Sequence, residues 1–302
     1  MFWVTVWGYP RTSTRISLAP TRTPGREPVA LQFVMYTDGA DFLNHVEPYL
    51  LQNEAENNLT LGVAALSLPT DSDNLWASVS DGEQVVGTVF DTPPYKTVVT
   101  AAKDDVIDLL ATGVHRIGRV STGVLGPSKS ALRFAEKWSL LAGLKFNPGM
   151  EQRIYRLARV IPPASTSGAL RSARPDEGPL LGSWIEAFAE ETGGLRTQPG
   201  LEVVQSGLEE GQMFVWDNGG PVSMAMCGRQ TRNGATISAV YTPGNERARG
   251  YASACVAELS QRLLDEGREF CCLYADRANR TSNDIYLSIG YEPVCDVDEY
   301  AY

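Results

Sequence analysis

The sequence contains few of the residues that form metal sites and disulfides. Its two histidines, His45 and His115, lie in no ligand-type pattern, and its five cysteines are an odd number without a Cys-x-x-Cys pair. A zinc site, a disulfide framework and a Cys–His nucleophile therefore lack support. We predict no metal, and we expect the cysteines to be small buried residues in a reducing, cytoplasmic compartment.

Long apolar runs and an excess of positive charge are also missing. The longest apolar runs are well short of the roughly 20 residues that span a membrane. The net charge is −10, from 26 Lys and Arg against 36 Asp and Glu. This balance argues against a nucleic-acid partner, whose phosphates need neutralising, and is compatible with an amine. The length of 302 residues suits two domains of about 130 to 150 residues each.

Composition and pattern divide the chain into four parts. Residues 1–34 carry four arginines before the first acid and four prolines, which predicts a disordered or extra extension. Globular patterns cover residues 35–161 and 168–302, and the Pro- and Ser-rich residues 162–167 are the predicted linker. Helix, hairpin, strand, helix and strand follow in the same order in both halves. We therefore predict an α/β (α+β) fold with two similar domains.

The stretch of residues 240–254 joins a strand-like run, 235–241, to an amphipathic helix. It has neither the Lys-Ser/Thr pair of a P-loop nor a Gly-x-Gly-x-x-Gly pattern. Instead, a glycine-containing turn leads to the helix N-terminus, where the first N–H groups lack intrahelical partners and the macrodipole is positive. We predict that the amides of residues 247–253 form an anion site.

Within this stretch, Arg247-x-x-Gly250-x-Ala252 resembles the Arg/Gln-x-x-Gly-x-Gly/Ala motif of the GNAT superfamily of acyl-CoA-dependent N-acyltransferases. Further on, Asn279-x-x-Ser282-Asn283-x-x-Tyr286-x-x-Ile289-Gly290-Tyr291 resembles the second signature of that family. With the helix and short strand between them, the match covers roughly residues 210–302. The resemblance implies two GNAT-like domains, each a mixed, mostly antiparallel central sheet flanked by helices.

The first half resembles a degenerate copy. At the place where we predict the counterpart of the loop, the residues are Gly123–Pro127, and Pro127 has no N–H to donate. We expect the first half to be structural, to shape the acceptor side, or both. An unrelated α/β domain is the alternative for this half, and in either case we place the acyl donor in residues 168–302.

The resemblance implies acetyl-CoA as acyl donor, with no metal. Around Val240 and Tyr241 the family strand splays from its neighbour and frees an N–H for the thioester oxygen. Tyr286 is the implied proton donor to the leaving thiolate, with a packing role as its alternative. Asn279 is implied beside the pantetheine arm, with a helix-start role as its alternative. The implied cofactor-binding residues are Val240, Tyr241, Arg247, Ala248, Arg249, Gly250, Tyr251, Ala252, Ser253, Asn279 and Ser282.

A general base is harder to predict. Many relatives carry a glutamate on the strand before the loop, but residues 235–241 contain no carboxylate. Glu186, Glu190 and Glu191 on the first helix of the second half are the candidates, and we select Glu190 as the catalytic residue. Each of the three also has a plain interpretation as a solvated helix residue.

These implications favour an N-acetyltransferase that transfers an acetyl group from acetyl-CoA to a primary amine by direct attack in a ternary complex. The acceptor is a small molecule or a peptide, and no nucleic acid or membrane partner is predicted. The alternative is a non-catalytic acyl-CoA-binding sensor or scaffold, which the missing carboxylate suggests. Transfer to a hydroxyl or of a longer acyl chain is a third hypothesis. The oligomeric state is left open.

Overall fold

A computed structural model describes residues 15–17, 31–67, 73–193 and 198–302. The chain divides into two compact units, and neither is one continuous stretch of sequence. The bounds are Met1–Gln52, Val63–Gly149 and Glu299–Tyr302 for the first unit, and Asn53–Gly62 and Met150–Asp298 for the second. The sequence predicts continuous domains instead, whereas residues 53–62, 150–161 and 299–302 lie in the unit that the sequence does not predict for them.

The first unit is built on a six-stranded run of sheet in the order β1-β2-β3-β4-β5-β6, antiparallel except for the parallel pair β5–β6. Residues 1–14 and 18–30 of the predicted extension lie outside the described residues. Arg15–Ser17, also in that range, pairs with β2. The elements are β1 (Arg15–Ser17), β2 (Gln32–Met35), α1 (Gly39–Leu50), α2 (Asn58–Leu66), β3 (Leu75–Asp81), β4 (Gln84–Asp91), β5 (Thr97–Val99), α3 (Asp104–Arg116), β6 (Gly123–Pro127) and α4 (Ser128–Ala142).

Local sequence accounts for several of these elements. The hairpin β3–β4 turns at Gly82, whose φ of 64° is the left-handed conformation that glycine adopts without strain. Helix α4 ends where Gly143 takes a left-handed φ of 68°. Helix α3 packs so closely on the sheet that a Cβ at Gly113 would lie 2.5 Å from the Phe33 ring. The core of the unit forms between this helix, α4 and the sheet.

The predicted position of the first-half loop is wrong. β5 leads through residues 100–103 into α3, and β6 returns parallel to β5, with Thr97 opposite Val124. Gly123–Pro127 is therefore the strand after the helix, so the counterpart of the 242–250 loop is the shorter turn 100–103. Asp104 and Asp105 occupy the first turn of α3. Two carboxylates at a helix N-terminus oppose anion binding. Asp104 and Asp105, rather than Pro127, therefore distinguish the first-half turn from the 242–250 loop.

The second unit has the strand order β13-β7-β12-β11-β10-β9-β8. β11 and β12 are parallel, and the pairs β7–β12, β10–β11, β9–β10 and β8–β9 are antiparallel. The elements are β7 (Asn147–Leu157), β8 (Ala169–Ser172), α5 (Gly178–Thr192), α6 (Gly200–Glu209), β9 (Met213–Asp217), β10 (Pro221–Gln230), β11 (Gly234–Tyr241), α7 (Tyr251–Asp265), β12 (Phe270–Asp276), α8 (Arg280–Ser288) and β13 (Glu292–Ala301).

Alternation along the strands gives this sheet two apolar faces. Phe214 of β9 and Ala225 of β10 pack with the buried side of α7, including Cys255 and Leu259. The neighbouring Val215 and Met224 join a separate core with Leu181 of α5 and Val204 of α6. Successive side chains of a strand point to opposite faces, so α7 and the pair α5–α6 cover opposite sides. The predicted α/β class, with mostly antiparallel sheets flanked by helices, is confirmed.

The cysteines are all free, and four of the five are buried. Burial raises the pKa of Cys227 and Cys272 to about 11, and that of Cys255, Cys271 and Cys295 to about 12. At neutral pH they are therefore thiols rather than reactive thiolates. Over the described part of the chain, no cluster of three or more His, Cys, Asp or Glu residues is arranged to hold a metal ion. In the same residues, no helix is long and apolar enough to cross a membrane.

Candidate functional site

The two parallel strands of the second unit separate into a fork. β11 and β12 pair at three positions that end at Thr236 opposite Cys272. Beyond that point β12 stays paired with β7 as far as Asp276, whereas β11 stays paired with β10. The fork therefore opens at the carboxyl ends of the two strands. In open sheets this is the position where ligands bind.

A bulge in β11 lies at the rim of the fork. Ser238 is opposite Met226 and Tyr241 is opposite Met224, so β11 has one residue more than β10 between these pairs. Ala239 in the bulge has a φ of 49°, which is uncommon for a residue other than glycine. Such a bulge re-aims the local backbone groups, and Ala239 and Val240 lie between the two paired positions. The irregularity falls where the sequence predicts a free N–H, around Val240 and Tyr241.

The loop of residues 242–250 carries the chain from β11 to α7. Ala248 has a φ of 60° and Gly250, at the N-cap of α7, a φ of 81°. Gly250 has no side chain to cap the helix, and the first intrahelical bond runs from Ala254 N to the Gly250 carbonyl. The N–H groups of Tyr251, Ala252 and Ser253 are therefore not used within the helix. Left-handed residues before a helix start turn backbone N–H groups inward, a geometry suited to anions.

The two arginines of this loop are each held by a carboxylate. Arg247 donates from Nη2 to both carboxylate oxygens of Glu191 at 2.7 Å and from Nε to the Thr242 carbonyl at 2.8 Å. Arg249 Nη1 lies 3.1 Å from Glu246 Oε2. Both guanidinium groups are about half-exposed. Both guanidinium groups are therefore accessible to solvent, and their ion pairs with Glu191 and Glu246 hold them in position.

Helix α8 places Tyr286, Asn279 and Ser282 near the end of β12. Asn279 is the N-cap, and its Oδ1 accepts a hydrogen bond from Ser282 N at 3.1 Å, as a helix-start residue does. Tyr286 is 7% exposed and its ring lies 6.2 Å from that of Tyr155. Burial raises the pKa of Tyr286 to about 12. Its phenol therefore stays protonated at every physiological pH.

Comparison with known proteins agrees with this geometry. A model of the FR47-like protein family matches residues 219–300, which contain the fork, the 242–250 loop, α7 and α8. A GCN5-related N-acetyltransferase from Sphaerobacter thermophilus superposes with a TM-score of 0.57 at 16% identity, covering 89% of this chain and 95% of that one. The chain has the GNAT fold. The predicted resemblance to the GNAT superfamily is thereby confirmed.

Two other solved structures superpose on most of both halves of the chain. A Drosophila protein solved as a structural genomics target has a TM-score of 0.61 at 10% identity, covering 88% of this chain and 97% of that one. A tandem GNAT protein from the clavulanic acid biosynthesis pathway has a TM-score of 0.50 at 15% identity, covering 90% and 98%. No curated protein sequence matches the chain significantly. At these identities the structures show the GNAT fold, and function has to be argued from the site.

The three glutamates considered as general base occupy different environments on α5. Glu186 accepts a hydrogen bond from Gly200 N at 2.6 Å, which ties α5 to the start of α6. Glu191 is paired with Arg247. Glu190, the residue selected from the sequence, is exposed near the end of the helix. Glu191 therefore contacts the 242–250 loop through Arg247, and the role of Glu190 stays a prediction.

Sequence reasoning missed a group of residues from the first half of the chain. Asn58 donates from Nδ2 to the Tyr274 hydroxyl at 3.2 Å, and its Oδ1 accepts from Thr236 Oγ1 at 3.3 Å. The Asn58 side chain thus contacts both strands of the fork, β11 and β12. The sequence signal was an Asn57-Asn58 pair before an apolar run, which indicates a helix start and cannot indicate a partner more than 170 residues away.

The linker and Asn283 are two further contributors. Thr166 Oγ1 donates to the Arg249 carbonyl at 3.0 Å, so the predicted linker 162–167 contacts the 242–250 loop. Asn283 donates from Nδ2 to the Asp276 carbonyl at 2.9 Å and accepts from the Tyr155 hydroxyl at 2.7 Å. Asn283 therefore connects α8 to the end of β12 through a hydrogen bond. Its place in the second signature was the only sequence signal for this role.

Proposed function

We propose that the chain is an acyl-CoA-dependent N-acetyltransferase that transfers an acetyl group from acetyl-CoA to a primary amine of a small molecule or peptide. One observation carries the proposal. The fork between β11 and β12, the bulge at Ala239 and the 242–250 loop lie at the same end of one GNAT-fold sheet. This arrangement offers a slot for an extended thioester arm beside a site for its phosphates.

The residues of the loop fit the phosphates of coenzyme A. The N–H groups of residues 251–253 are unused within α7, and Arg247 and Arg249 are half-exposed beside them. Backbone donors at a helix start, together with guanidinium groups, are the donors that phosphate oxygens prefer. We assign the pyrophosphate to this loop and the pantetheine arm to the fork.

The chain's own residues then have two tasks in the chemical step. Backbone N–H groups of the bulge at Ala239 and Val240 polarise the thioester carbonyl. Tyr286 gives a proton to the leaving sulfur. Burial raises the pKa of Tyr286 to about 12, so this transfer needs a leaving thiolate that is more basic than an unperturbed thiolate, whose thiol has a pKa near 8.5.

Direct attack by the amine agrees with the state of the cysteines. All five are protonated thiols at neutral pH because burial raises their pKa values. A covalent acyl-cysteine intermediate needs a thiolate. We therefore propose a ternary complex in which the acceptor attacks the thioester itself.

The decisive experiment has two stages. Thermal unfolding is measured with and without acetyl-CoA, and a ligand at 100 times its Kd adds about 2.7 kcal/mol of stability. Release of free CoA is then followed with a panel of primary amines. Arg247→Met and Gly250→Pro are the loop variants, and we expect both to lose the thermal shift. No shift with acetyl-CoA, CoA or a longer acyl-CoA would contradict the proposal.

A non-catalytic acyl-CoA sensor or scaffold is the second candidate. The specific observation in its favour is that β11, Gly234–Tyr241, contains no carboxylate. Under this alternative the thermal shift persists and no amine releases CoA. Acetyl transfer to any primary amine in the panel therefore separates the two functions.

A further inference from the structure

Helix α8, which carries Tyr286, is short and buries little of its surface. It has nine residues, Arg280–Ser288, all of which the structure describes, and among them Tyr286 is the one buried residue. Helices shorter than about 12 residues are marginal by themselves, so α8 depends on tertiary contacts for its stability. Packing of a single side chain restrains rotation about the helix axis only weakly. The direction of the Tyr286 hydroxyl therefore depends on the other contacts that α8 makes.

Asn283 makes the hydrogen bonds that restrain this rotation. It lies three positions before Tyr286, on the same side of the helix. Its Nδ2 donates to the carbonyls of Asp276 at 2.9 Å and Asn279 at 2.7 Å, and its Oδ1 accepts from the Tyr155 hydroxyl at 2.7 Å. Backbone carbonyls only accept hydrogen bonds, so the amide nitrogen has to face them and the amide oxygen has to face Tyr155. Tyr155 is therefore the donor in its bond to Asn283.

Tyr155 is itself fixed in the sheet. It is 1% exposed and lies opposite Leu273, where β7 pairs with β12 at every position from Cys271 to Asp276. Arg153, two residues earlier on the same face of β7, interacts electrostatically with Tyr155. That arginine donates to both carboxylate oxygens of Asp296, at 2.6 and 3.2 Å. The Tyr155 hydroxyl thus connects an ordered part of the sheet to α8.

The ring of Tyr286 is held by two neighbouring rings while its hydroxyl is left available. Its centroid lies 6.2 Å from that of Tyr155 and 5.9 Å from that of Tyr291, both within the range of favourable aromatic pairs. Within the described residues the Tyr286 hydroxyl has no hydrogen-bond partner. It is also not one of the fully buried polar atoms that lack a partner, so it keeps contact with solvent. Its proton is therefore available to a group that enters from outside.

The two tyrosines that contact Tyr286 differ in where their hydroxyl groups bond. The Tyr291 hydroxyl lies 2.9 Å from Ser260 Oγ of α7, inside the core. The Tyr155 hydroxyl bonds to Asn283 of α8. Of these two residues, Tyr155 therefore restrains both the ring of Tyr286 and the helix that carries it. It lies outside residues 219–300, which match the family model, on a strand that the sequence predicts for the first half of the chain.

We propose that Tyr155 is a positioning residue for Tyr286. Its hydroxyl, through Asn283, fixes the rotation of α8, and its ring fixes the Tyr286 ring, so that the phenol proton is directed at the leaving sulfur. This assignment rests on the proposed acetyl transfer. The carbon–sulfur bond breaks with its electron pair on sulfur, which takes the Tyr286 proton. The phenolate is reprotonated by the proton that the acceptor nitrogen releases to solvent. Tyr155 keeps its own proton, which is bonded to Asn283.

The test is a double-mutant cycle in the full chain, with Tyr155→Phe, Tyr286→Phe and the double variant. CoA release is followed at saturating acetyl-CoA with the panel of primary amines, and CoA affinity is titrated separately. We expect Tyr155→Phe to lower kcat roughly 10-fold, because the proton donor is misplaced, and to leave CoA affinity unchanged. Loss of the donor itself lowers kcat about 100-fold. The double variant should be no slower than Tyr286→Phe, since the Tyr155 hydroxyl has nothing left to position.

Two further variants separate positioning from packing. Asn283→Ala should slow turnover at least as much as Tyr155→Phe, and combining the two should cost nothing more. Tyr291→Phe also removes one hydroxyl from a ring neighbour of Tyr286, but its hydrogen bond leads to Ser260, so kcat should be retained. Both Tyr155→Phe and Tyr291→Phe should lower the melting temperature slightly, because each loses one hydrogen bond. A purely structural role for Tyr155 would give this thermal effect without the fall in kcat.

The possible failures of this assignment and of the proposed function are distinct. In an active protein, an unchanged kcat for Tyr155→Phe would overturn the positioning role alone. So would a fall that multiplies with that of Tyr286→Phe to about 1,000-fold, because independent effects add in free energy. A wild-type protein that releases CoA with none of the primary amines would overturn the proposed function, and this assignment with it.

Discussion

Arg247 and Glu191 are joined by a contact in which one guanidinium nitrogen donates to both carboxylate oxygens at 2.7 Å. The contact links the last turn of α5 to the loop between β11 and α7. Both side chains are about half-exposed, so the pair itself contributes little to stability. A phosphate presented to Arg247 meets a guanidinium whose geometry is already fixed but whose charge is partly neutralised.

Glu191 should therefore compete with the cofactor. We expect Glu191→Gln to bind CoA several-fold more tightly than the wild type, because an anion is removed beside a phosphate site while the side-chain shape is kept. Isothermal titration at low ionic strength measures the change, and screening by salt should reduce it. Glu190→Gln is the matched control, since Glu190 is exposed on the same turn. Weaker binding by Glu191→Gln would mean that the pair positions Arg247 for the phosphate.

Tyr286 can be tested against a neighbouring tyrosine. Tyr286→Phe should lower the rate of CoA release roughly 100-fold, the effect typical of a general acid, and leave CoA affinity unchanged. The pKa of about 12 means that wild-type activity should show no alkaline limb from Tyr286 below pH 10. Steady-state kinetics and CoA titration measure the two effects.

Tyr291→Phe is the control for this experiment. The Tyr291 hydroxyl lies 2.9 Å from Ser260 Oγ inside the core, so its loss should cost about 1 kcal/mol of stability and no activity. If both variants lose activity equally, the effect comes from packing of the tyrosine cluster and not from proton transfer.

Much of the second unit could be predicted from residues 210–302, because its signals are local. The hairpin at residues 217–220 and the apolar face of α7 depend on neighbours within a few positions. The fork could only be inferred from a family resemblance. Whether β11 leaves β12 after Thr236 depends on strand pairing, which periodicity does not encode.

The exchange of segments between the units could not be predicted at all. Glu54 lies between α1 and α2 in the sequence, yet its hydrogen-bond partners are Thr231 and Asn233, more than 175 positions away. The misplaced first-half loop has a related cause. Gly123–Pro127 resembles a strand ending in a glycine-containing turn, and only the parallel pairing with β5 shows that it follows the helix. In both cases the structure depends on contacts between residues that are far apart in the sequence.

Glu54 gives a pH-dependent prediction for stability. Burial acts to raise its pKa, but hydrogen bonds from Thr231 and Asn233 outweigh burial and the pKa is lowered. Such a group stabilises the fold above its unfolded pKa, and this contribution is lost as pH falls through the lowered value. Glu54→Gln should therefore cost about 1 to 3 kcal/mol at pH 7. Denaturant unfolding at pH 7 and at progressively lower pH should show the difference from wild type shrink as the pH falls. A difference that is independent of pH would assign the effect to side-chain shape.

Gly250 and Ala248 form a matched pair for testing the 242–250 loop, because both have a left-handed backbone, with φ of 81° and 60°. A Cβ at Gly250 would have Thr166 Cβ as its neighbour at 3.9 Å, an ordinary contact, so Gly250→Ala adds backbone strain and no clash. That strain is about 1 to 2 kcal/mol. The reverse change, Ala248→Gly, relieves similar strain but gives the unfolded chain about 0.4 to 1 kcal/mol of extra freedom.

We therefore expect Gly250→Ala to lower both the melting temperature and CoA affinity, and Ala248→Gly to leave stability within about 1 kcal/mol of the wild type, on the stabilising side. Thermal unfolding with and without CoA measures both quantities for each variant. CoA affinity decides whether the loop conformation itself is needed. If Gly250→Ala loses stability but binds CoA as tightly as the wild type, the amides after Gly250 are not the phosphate ligands, because a rearranged helix start would no longer present them in the same direction.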